Sequence, residues 1–237
     1  MTGIDAAMIE RRRKLLGSAY KLFYDNPVHI VRGEGVWLYD ADGRKYLDMY
    51  NNVPHVGHCH PHVVEALSKQ IATLNTHTRY LHENILEYAE RLTGHFEQEL
   101  DLAMFCCTGS EANELAMRIA RTHTRGTGFI ATSFAYHGNT KATFEITTSD
   151  IPEDERPDYI ATVPVPDPYR GLYTGPDAGE RYAAHVHEAI EALESRGVKL
   201  AAFIIDTIAS SGGVVSPPAG YLSAVAKIVR DAGGLFI

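Results

Sequence analysis

The sequence predicts an α/β fold: a mostly parallel sheet with helices on both faces, preceded by a small N-terminal helix and an antiparallel meander. Three observations predict it. From Leu102 onward, short apolar runs alternate with longer segments of helical periodicity, which is the pattern of a parallel sheet covered on both sides. One of these junctions, Cys106-Cys107-Thr108-Gly109-Ser110-Glu111, reads as a strand running through a tight Gly-Ser turn into a new helix. Upstream, Val28–Val31, Val36–Tyr39 and Lys45–Met49 are short strand-like runs linked through Gly33, Gly35 and the Asp42-Gly43 turn.

In chain order, Glu10 to Phe23 reads as a helix with Leu15, Leu16, Ala19 and Phe23 on one side, ended by Asn26-Pro27. The meander follows. Tyr50 to Val56 is a loop without periodicity. Pro61 suits the first turn of a helix carrying Val63, Val64, Ala66, Leu67 and Ile71. A polar connection from Leu74 to His82, with Arg79 and Tyr80, leads to a second helix carrying Ile85, Leu86, Ala89 and Leu92 and ending near Gly94. Strands are expected at Ala103–Cys107, Gly128–Thr132, Ala161–Val165, Ala201–Asp206 and Leu235–Ile237. Helices are expected near 112–123, 178–196 and 218–232. The stretch 149–181 is rich in Pro, Asp and Gly and is expected to pack over the surface. No internal repeat or low-complexity segment is present.

Composition narrows the function classes. The 237 residues carry a net charge of −8, with no basic patch or arginine-rich arm to argue for nucleic acid. No apolar run approaches membrane-spanning length, and Met1 to Arg13 lacks an apolar signal core. The three cysteines are Cys59, Cys106 and Cys107. The adjacent pair would point to opposite faces of a strand and makes poor disulfide partners. A reduced, cytoplasmic protein is the expectation.

The chemistry concentrates at three places. Thr108 and Glu111 have capping-box spacing, so Thr108 can cap the helix that begins at Gly109 while Glu111 reaches back. Gly109 permits close approach to the backbone. Free N–H groups at the start of that helix, the helix dipole and the Ser110 hydroxyl as an extra donor together make a phosphate site. An ordinary capped helix without a ligand is the competing reading. Tyr136-His137-Gly138 follows a buried strand at its carboxyl end, and Asp206 ends another. Ligands of parallel sheets lie at these ends; a core tyrosine and a satisfied histidine are the alternative. His55, His58, Cys59, His60 and His62 have the composition of a zinc site. Pro61 starts a helix among them, however, and no second ligand pair supports convergence, so no metal is expected. No GxGxxG follows a strand, which argues against a nicotinamide dehydrogenase.

Thr108-Gly109-Ser110-Glu111-Ala112-Asn113 resembles the cofactor-phosphate turn of class-III aminotransferases, which are pyridoxal 5'-phosphate (PLP) enzymes of fold type I. Gly57-His58-Cys59-His60-Pro61, Tyr136-His137-Gly138, and the strand Ala202–Ile205 with Asp206 and Gly212-Gly213 agree in order and spacing. The resemblance runs from about Val28 to Ile237. It implies a small-domain segment at 1–57 and a PLP-binding large domain at 58–237. It also implies cofactor contacts at Gly109, Ser110, Glu111, Ala112, Tyr136, His137 and Asp206, with Tyr136 stacking on the pyridine ring. Asn52 and Arg79 are implied substrate contacts. Asp206 stands where most members carry a glutamate that gates a substrate-binding arginine.

The stretches Asn75–His82, Ser211-Gly212-Gly213 and Pro217–Tyr221 look most like the phospho-lyase subgroup, which eliminates phosphate and ammonia from phosphoethanolamine-like amines. Arg79 would then be an anion contact. The implied activity is transamination of a small amine or amino acid by a homodimer, with PLP phospho-lyase or ammonia-lyase chemistry as the alternative. The family's Schiff-base lysine and the aspartate beside the pyridine nitrogen would fall after Ile237, so no catalytic residue is assigned here. The 237 residues are expected to be the N-terminal part of a longer enzyme and inactive alone. A non-catalytic chain that only binds PLP or dimerises is the remaining alternative.

Overall fold

The computed structural model describes residues 3–51, 53–97 and 99–237. By its internal contacts the chain divides into two units, Met1–Leu92 and Thr93–Ile237.

In the first unit, helix α1 spans Gly3–Leu16 rather than the Glu10–Phe23 read from periodicity. Gly17 follows with φ 69°, a left-handed stop that costs glycine little. The local stop overrides the apolar spacing, and Leu15, Leu16 and Phe23 are exposed. Strands β1 (Ile30–Glu34), β2 (Trp37–Asp40) and β3 (Lys45–Leu47) form the meander, antiparallel in that order. Its second turn closes because Asp40 Oδ1 accepts the N–H groups of Asp42 (3.0 Å) and Arg44 (2.8 Å). Across the strands, Arg32 sits 3.6 Å over the Tyr39 ring and Lys45 3.8 Å over Trp37.

The loop after β3 returns to the meander through one buried carboxylate. Asp48, 6% exposed at its side chain, pairs with His58 Nε2 at 2.7 Å. It also accepts the N–H groups of Asn51 (2.9 Å) and Tyr50 (3.0 Å). The Asn51 N–H, then His58 and the Tyr50 N–H, hold its carboxyl far below the usual range. His58 is fixed from its backbone too, exchanging two hydrogen bonds with Gly35. Helices α2 (Pro61–Thr73) and α3 (Glu83–Thr93) lie where periodicity places them, with Pro61 in the first turn of α2. Neither buries a residue, so the apolar stripe Val63, Val64, Leu67 and Ile71 stays exposed.

The second unit is built on a parallel sheet of β4 (Gly128–Thr132), β5 (Ile160–Val163), β6 (Leu200–Ile204) and β7 (Leu235–Phe236), in the order β5-β4-β6-β7. Its helices are α4 (Gly109–Thr124), α5 (Lys141–Glu145), α6 (Ala178–Ser195) and α7 (Tyr221–Asp231). Alternate strand residues face opposite sides, and the sheet therefore has two cores. Ile130 and Phe203 pack with Tyr182, Val186 and Leu193 of α6 and with Tyr221, Val225 and Val229 of α7. Phe129, Ala131 and Ile204 pack with Met117 and Ala120 of α4 and with Ile146. The three-layer arrangement inferred from the alternation of elements is the one observed.

Two expectations are corrected. Ala103–Cys107 is not a strand: it joins neither sheet, and Leu102, Met104 and Phe105 are exposed. An apolar run becomes a strand only through a continuous ladder of backbone pairing, and this one is part of neither sheet. The stretch 149–181 packs over the surface only in part: the strand expected at Ala161–Val165 is present as β5, and Ile160, Ala161 and Val163 are buried. Arg156 straps this strand down, donating to the Ile151 carbonyl (3.1 Å), the Thr148 carbonyl (3.2 Å) and Thr162 Oγ1 (3.3 Å). Pro157 and Pro164 flank β5 and keep this sheet edge short.

Because the folded-state pKa of Asp48 is depressed, its stabilisation is present above the unfolded value of about 3.9 and is lost as pH falls through the folded one. Amide exchange at Tyr50 and Asn51 should therefore accelerate only in acid. Asp48→Asn should make it fast at neutral pH, as read by hydrogen-exchange NMR.

Candidate functional site

The site is assembled where three loops meet at one end of the parallel sheet. The chain leaves β4 toward β5 on one side and leaves β6 toward β7 on the other. The carboxyl ends of these two adjacent strands therefore open a crevice at a topological switch point. The loop after β4 carries Tyr136 and His137, and the loop after β6 carries Asp206.

Helix α4 contributes its N-terminus. Thr108 is extended (φ −142°, ψ 158°) and its hydroxyl accepts the Glu111 N–H at 3.1 Å, while Glu111 Oε2 accepts the Thr108 N–H at 3.1 Å and the Cys107 N–H at 2.9 Å. This is the capping box read from the sequence. The Ala112 N–H bonds to the Thr108 carbonyl. The N–H groups of Gly109 and Ser110 are left at the open end, where a helix has no acceptor of its own and favours negative charge. A Cβ placed on Gly109 would meet nothing within 4 Å, so the space over the turn is clear.

The loop after β4 is clamped against that turn. Asn113 Nδ2 donates to the His137 carbonyl at 2.7 Å. Gly138 has φ 141°, and a Cβ there would stand 2.6 Å from Ser110 Oγ and 2.7 Å from Thr143 Oγ1. The Asn139 N–H donates to Ser110 Oγ at 3.1 Å, and that hydroxyl donates in turn to Asn139 Oδ1 at 3.1 Å. The Ser110 hydroxyl, expected as a free donor, is thus engaged by the neighbouring loop.

Buried threonines hold the clamp from below. Thr147 Oγ1 accepts the His137 N–H (3.1 Å) and donates to the Thr143 carbonyl (2.8 Å). Thr148 Oγ1 accepts the Ala135 N–H (2.8 Å) and donates to the Thr132 carbonyl (2.6 Å).

His137 is 6% exposed and its Nε2 has no hydrogen-bond partner. Burial pushes the imidazole pKa down, against the opposing charge of Asp206, so the ring is neutral at physiological pH. Burial alone would raise the Asp206 carboxyl. The Ser210 hydroxyl and N–H, the Ile208 N–H and the proximity of His137 outweigh it, and the net shift is down. Asp206 thus turns its oxygens into its own loop. Ser211 Oγ accepts the Tyr136 N–H at 3.0 Å and joins the two loops, while the Tyr136 side chain stays half exposed.

Of the residues singled out from the sequence, Gly109, Ser110, Glu111, Ala112, Tyr136, His137 and Asp206 belong to this one assembly. Arg79 lies exposed in the first unit, its N–H donating to His77 Nδ1 at 3.2 Å. Asn52 lies outside the described residues. His58 is committed to Asp48, and among the described residues no group of three or more His, Cys, Asp or Glu is placed to hold a metal ion. Sequence reasoning missed Asn139, Thr147 and Thr148, and gave no individual role to Asn113 and Ser211 within the motifs that contain them. The threonines at 140, 143 and 147, spaced three to four apart, with Thr148 beside the last, were the available signal for a polar helical face.

Thr148→Val keeps the side-chain shape but strands the Ala135 N–H. It should cost about 1–3 kcal/mol in urea denaturation and should speed amide exchange at Ala135.

The profile of the class-III aminotransferase family matches residues 20–237. The chain is 41% identical over 238 residues to the Drosophila melanogaster alanine–glyoxylate aminotransferase 2-like protein, covering 97% of this chain and 48% of that one. It is 37% identical over 245 residues to the Caenorhabditis elegans ethanolamine-phosphate phospho-lyase homolog 1, covering 97% and 52%. A solved phospholyase from Arthrobacter, in complex with phosphoethanolamine, superimposes with a TM-score of 0.88 at 42% identity, covering 97% of this chain and 55% of that one. The chain spans about half the length of the curated relatives it matches. It belongs to the class-III aminotransferase family.

Proposed function

With class-III membership as the premise, we propose that this chain forms the phosphate-binding and ring-stacking half of a PLP-dependent enzyme that acts on a small amine. The observation that carries the reading is the convergence of the open α4 N-terminus with the loop bearing Tyr136 and the orphaned His137 Nε2. These residues fit the cofactor. The N–H groups of Gly109 and Ser110 suit a phosphate, the space over Gly109 admits it, and the half-exposed Tyr136 ring offers a face for offset stacking. The neutral His137 retains a nitrogen to donate to or accept from a bound group. Asp206, ionised and held by Ser210 and Ile208, places negative charge beside it.

PLP, when bound, supplies an electron sink that stabilises negative charge at the carbon bearing the amine. The contribution of this chain is to grip the phosphate, fix the ring plane and set the protonation state of His137 and Asp206. Lys199 donates to the Thr124 carbonyl at 2.6 Å and Lys227 pairs with Asp231, so neither stands at the site.

For the whole protein the reading is transamination of a small amine or amino acid by a homodimer. Elimination of phosphate and ammonia from a phosphoethanolamine-like amine is the second reading, favoured by the similarity to the Arthrobacter phospholyase. Asn52 and Arg79 are its proposed substrate contacts. The free, exposed cysteines support a reducing compartment such as the cytoplasm. Among the described residues no helix is long and apolar enough to cross a membrane.

Incubating the protein, purified from its source, with phosphoethanolamine separates the two activities. Release of inorganic phosphate without a keto acid marks the lyase, and amino transfer to an added keto acid marks the transaminase. Neither product from any small amine would defeat both. In this chain, Gly138→Ala should push Ser110 out of place and weaken PLP binding at least tenfold by fluorescence titration. Tyr136→Ala should weaken it about two- to tenfold through lost stacking.

A further inference from the structure

Asn139 was not singled out by the sequence, yet it makes two of the contacts that define the α4 turn. Its N–H donates to Ser110 Oγ and its Oδ1 accepts the Ser110 hydroxyl, each at 3.1 Å. Its side chain is exposed, and its two Nδ2 hydrogens meet no protein acceptor among the described residues. A carboxamide anchored at its oxygen has its amide end preset. Its anchor, Ser110, is itself one of the two residues whose N–H groups are uncommitted at the open helix end. The same loop, two residues earlier, carries the buried His137 Nε2 without a partner. A sealed polar atom of this kind costs free energy unless a ligand supplies the partner. Both unsatisfied features belong to the one short loop that docks on the first turn of α4.

We infer that Asn139 is a third arm of the anion cradle: its Nδ2 donates to a phosphate oxygen held at the Gly109 and Ser110 N–H groups, and the Ser110 hydroxyl acts as the anchor that positions this arm. The inference rests on the cofactor reading above and reassigns the work of Ser110. The hydroxyl cannot donate to the phosphate while its one hydrogen is on Asn139 Oδ1. The Asn139 N–H holds the hydroxyl oxygen in place, so the pair is preorganised and little ordering cost remains when the anion arrives. The recognised group is a phosphate monoester on a small aromatic body, and inorganic phosphate should compete for the same donors.

The test uses pyridoxine 5'-phosphate and pyridoxine, which share a ring and carry no aldehyde to react with surface lysines. Calorimetry on this chain gives the preference for the phosphate ester over the alcohol. Asn139→Ala should cut that preference about tenfold, the scale of one hydrogen bond to a charged group, with a much smaller loss of pyridoxine affinity. Asn139→Asp, with an anion in place of the donor, should cut it further. Ser110→Ala should fall with Asn139→Ala, and the double variant should lose no more than either single one.

An undiminished preference in Asn139→Ala, equal losses for ester and alcohol, or losses that multiply in the double variant would each overturn the role of Asn139 and leave the cofactor reading standing. A wild-type chain with no preference for the ester, and no competition by inorganic phosphate, would remove the cofactor reading and this inference together.

Discussion

The contact between the first turn of α4 and the loop after β4 is the constraint on which the site depends. Gly138 lies so close to Ser110 that no side chain fits between them, and Asn139 grips the Ser110 hydroxyl from both its N–H and its carboxamide. Helix α4 covers one face of the sheet, while the loop emerges from a strand within it. Joining them places a helix N-terminus beside the carboxyl end of β4 and fixes the spacing between an anion site and an aromatic face. Without that junction the two features would be an ordinary cap and an ordinary loop.

The junction is held by polar groups buried under it. Thr143, Thr147 and Thr148 are buried, and each spends its hydroxyl on the backbone of this region. Such satisfied groups rigidify, because each would cost more unpaired than it gains paired. The same region carries uncommon backbone conformations. Phe134, Ala209 and Val214 have φ between 44° and 60°, and such a φ is a true outlier for a β-branched valine. Residues held this way need surroundings that over-determine them, and they cluster where loops must present side chains. Here they lie in the loops that bring up Tyr136 and Asp206.

The first unit is organised by a different device. A single buried carboxylate, Asp48, gathers two N–H groups, an amide and His58. It closes the loop after the meander onto the meander itself. The histidine-rich stretch around it supplies one hydrogen-bond partner to that carboxylate. One imidazole is taken by Asp48, while His55, His60 and His62 are exposed.

What the sequence determined by itself was whatever local rules govern. The capping box at Thr108 and Glu111 involves residues three apart, the meander turn at Asp42-Gly43 is local, and the parallel sheet follows from strands and helices in alternation. Each of these was legible and each is present. The residues that the family resemblance implies for cofactor binding fall in one place because they sit at strand ends and a helix start.

Tertiary structure decided what depends on partners distant in the chain. Ser110 meets Asn139 across 29 residues, Tyr136 meets Ser211 across 75, and no periodicity announces either. Ala103–Cys107 has the composition of a strand but joins neither sheet. Local free energy selects helix caps and turns. Which donor finds which acceptor is settled only when packing brings the loops together, because a buried polar group takes the partner within reach rather than the one nearest in sequence.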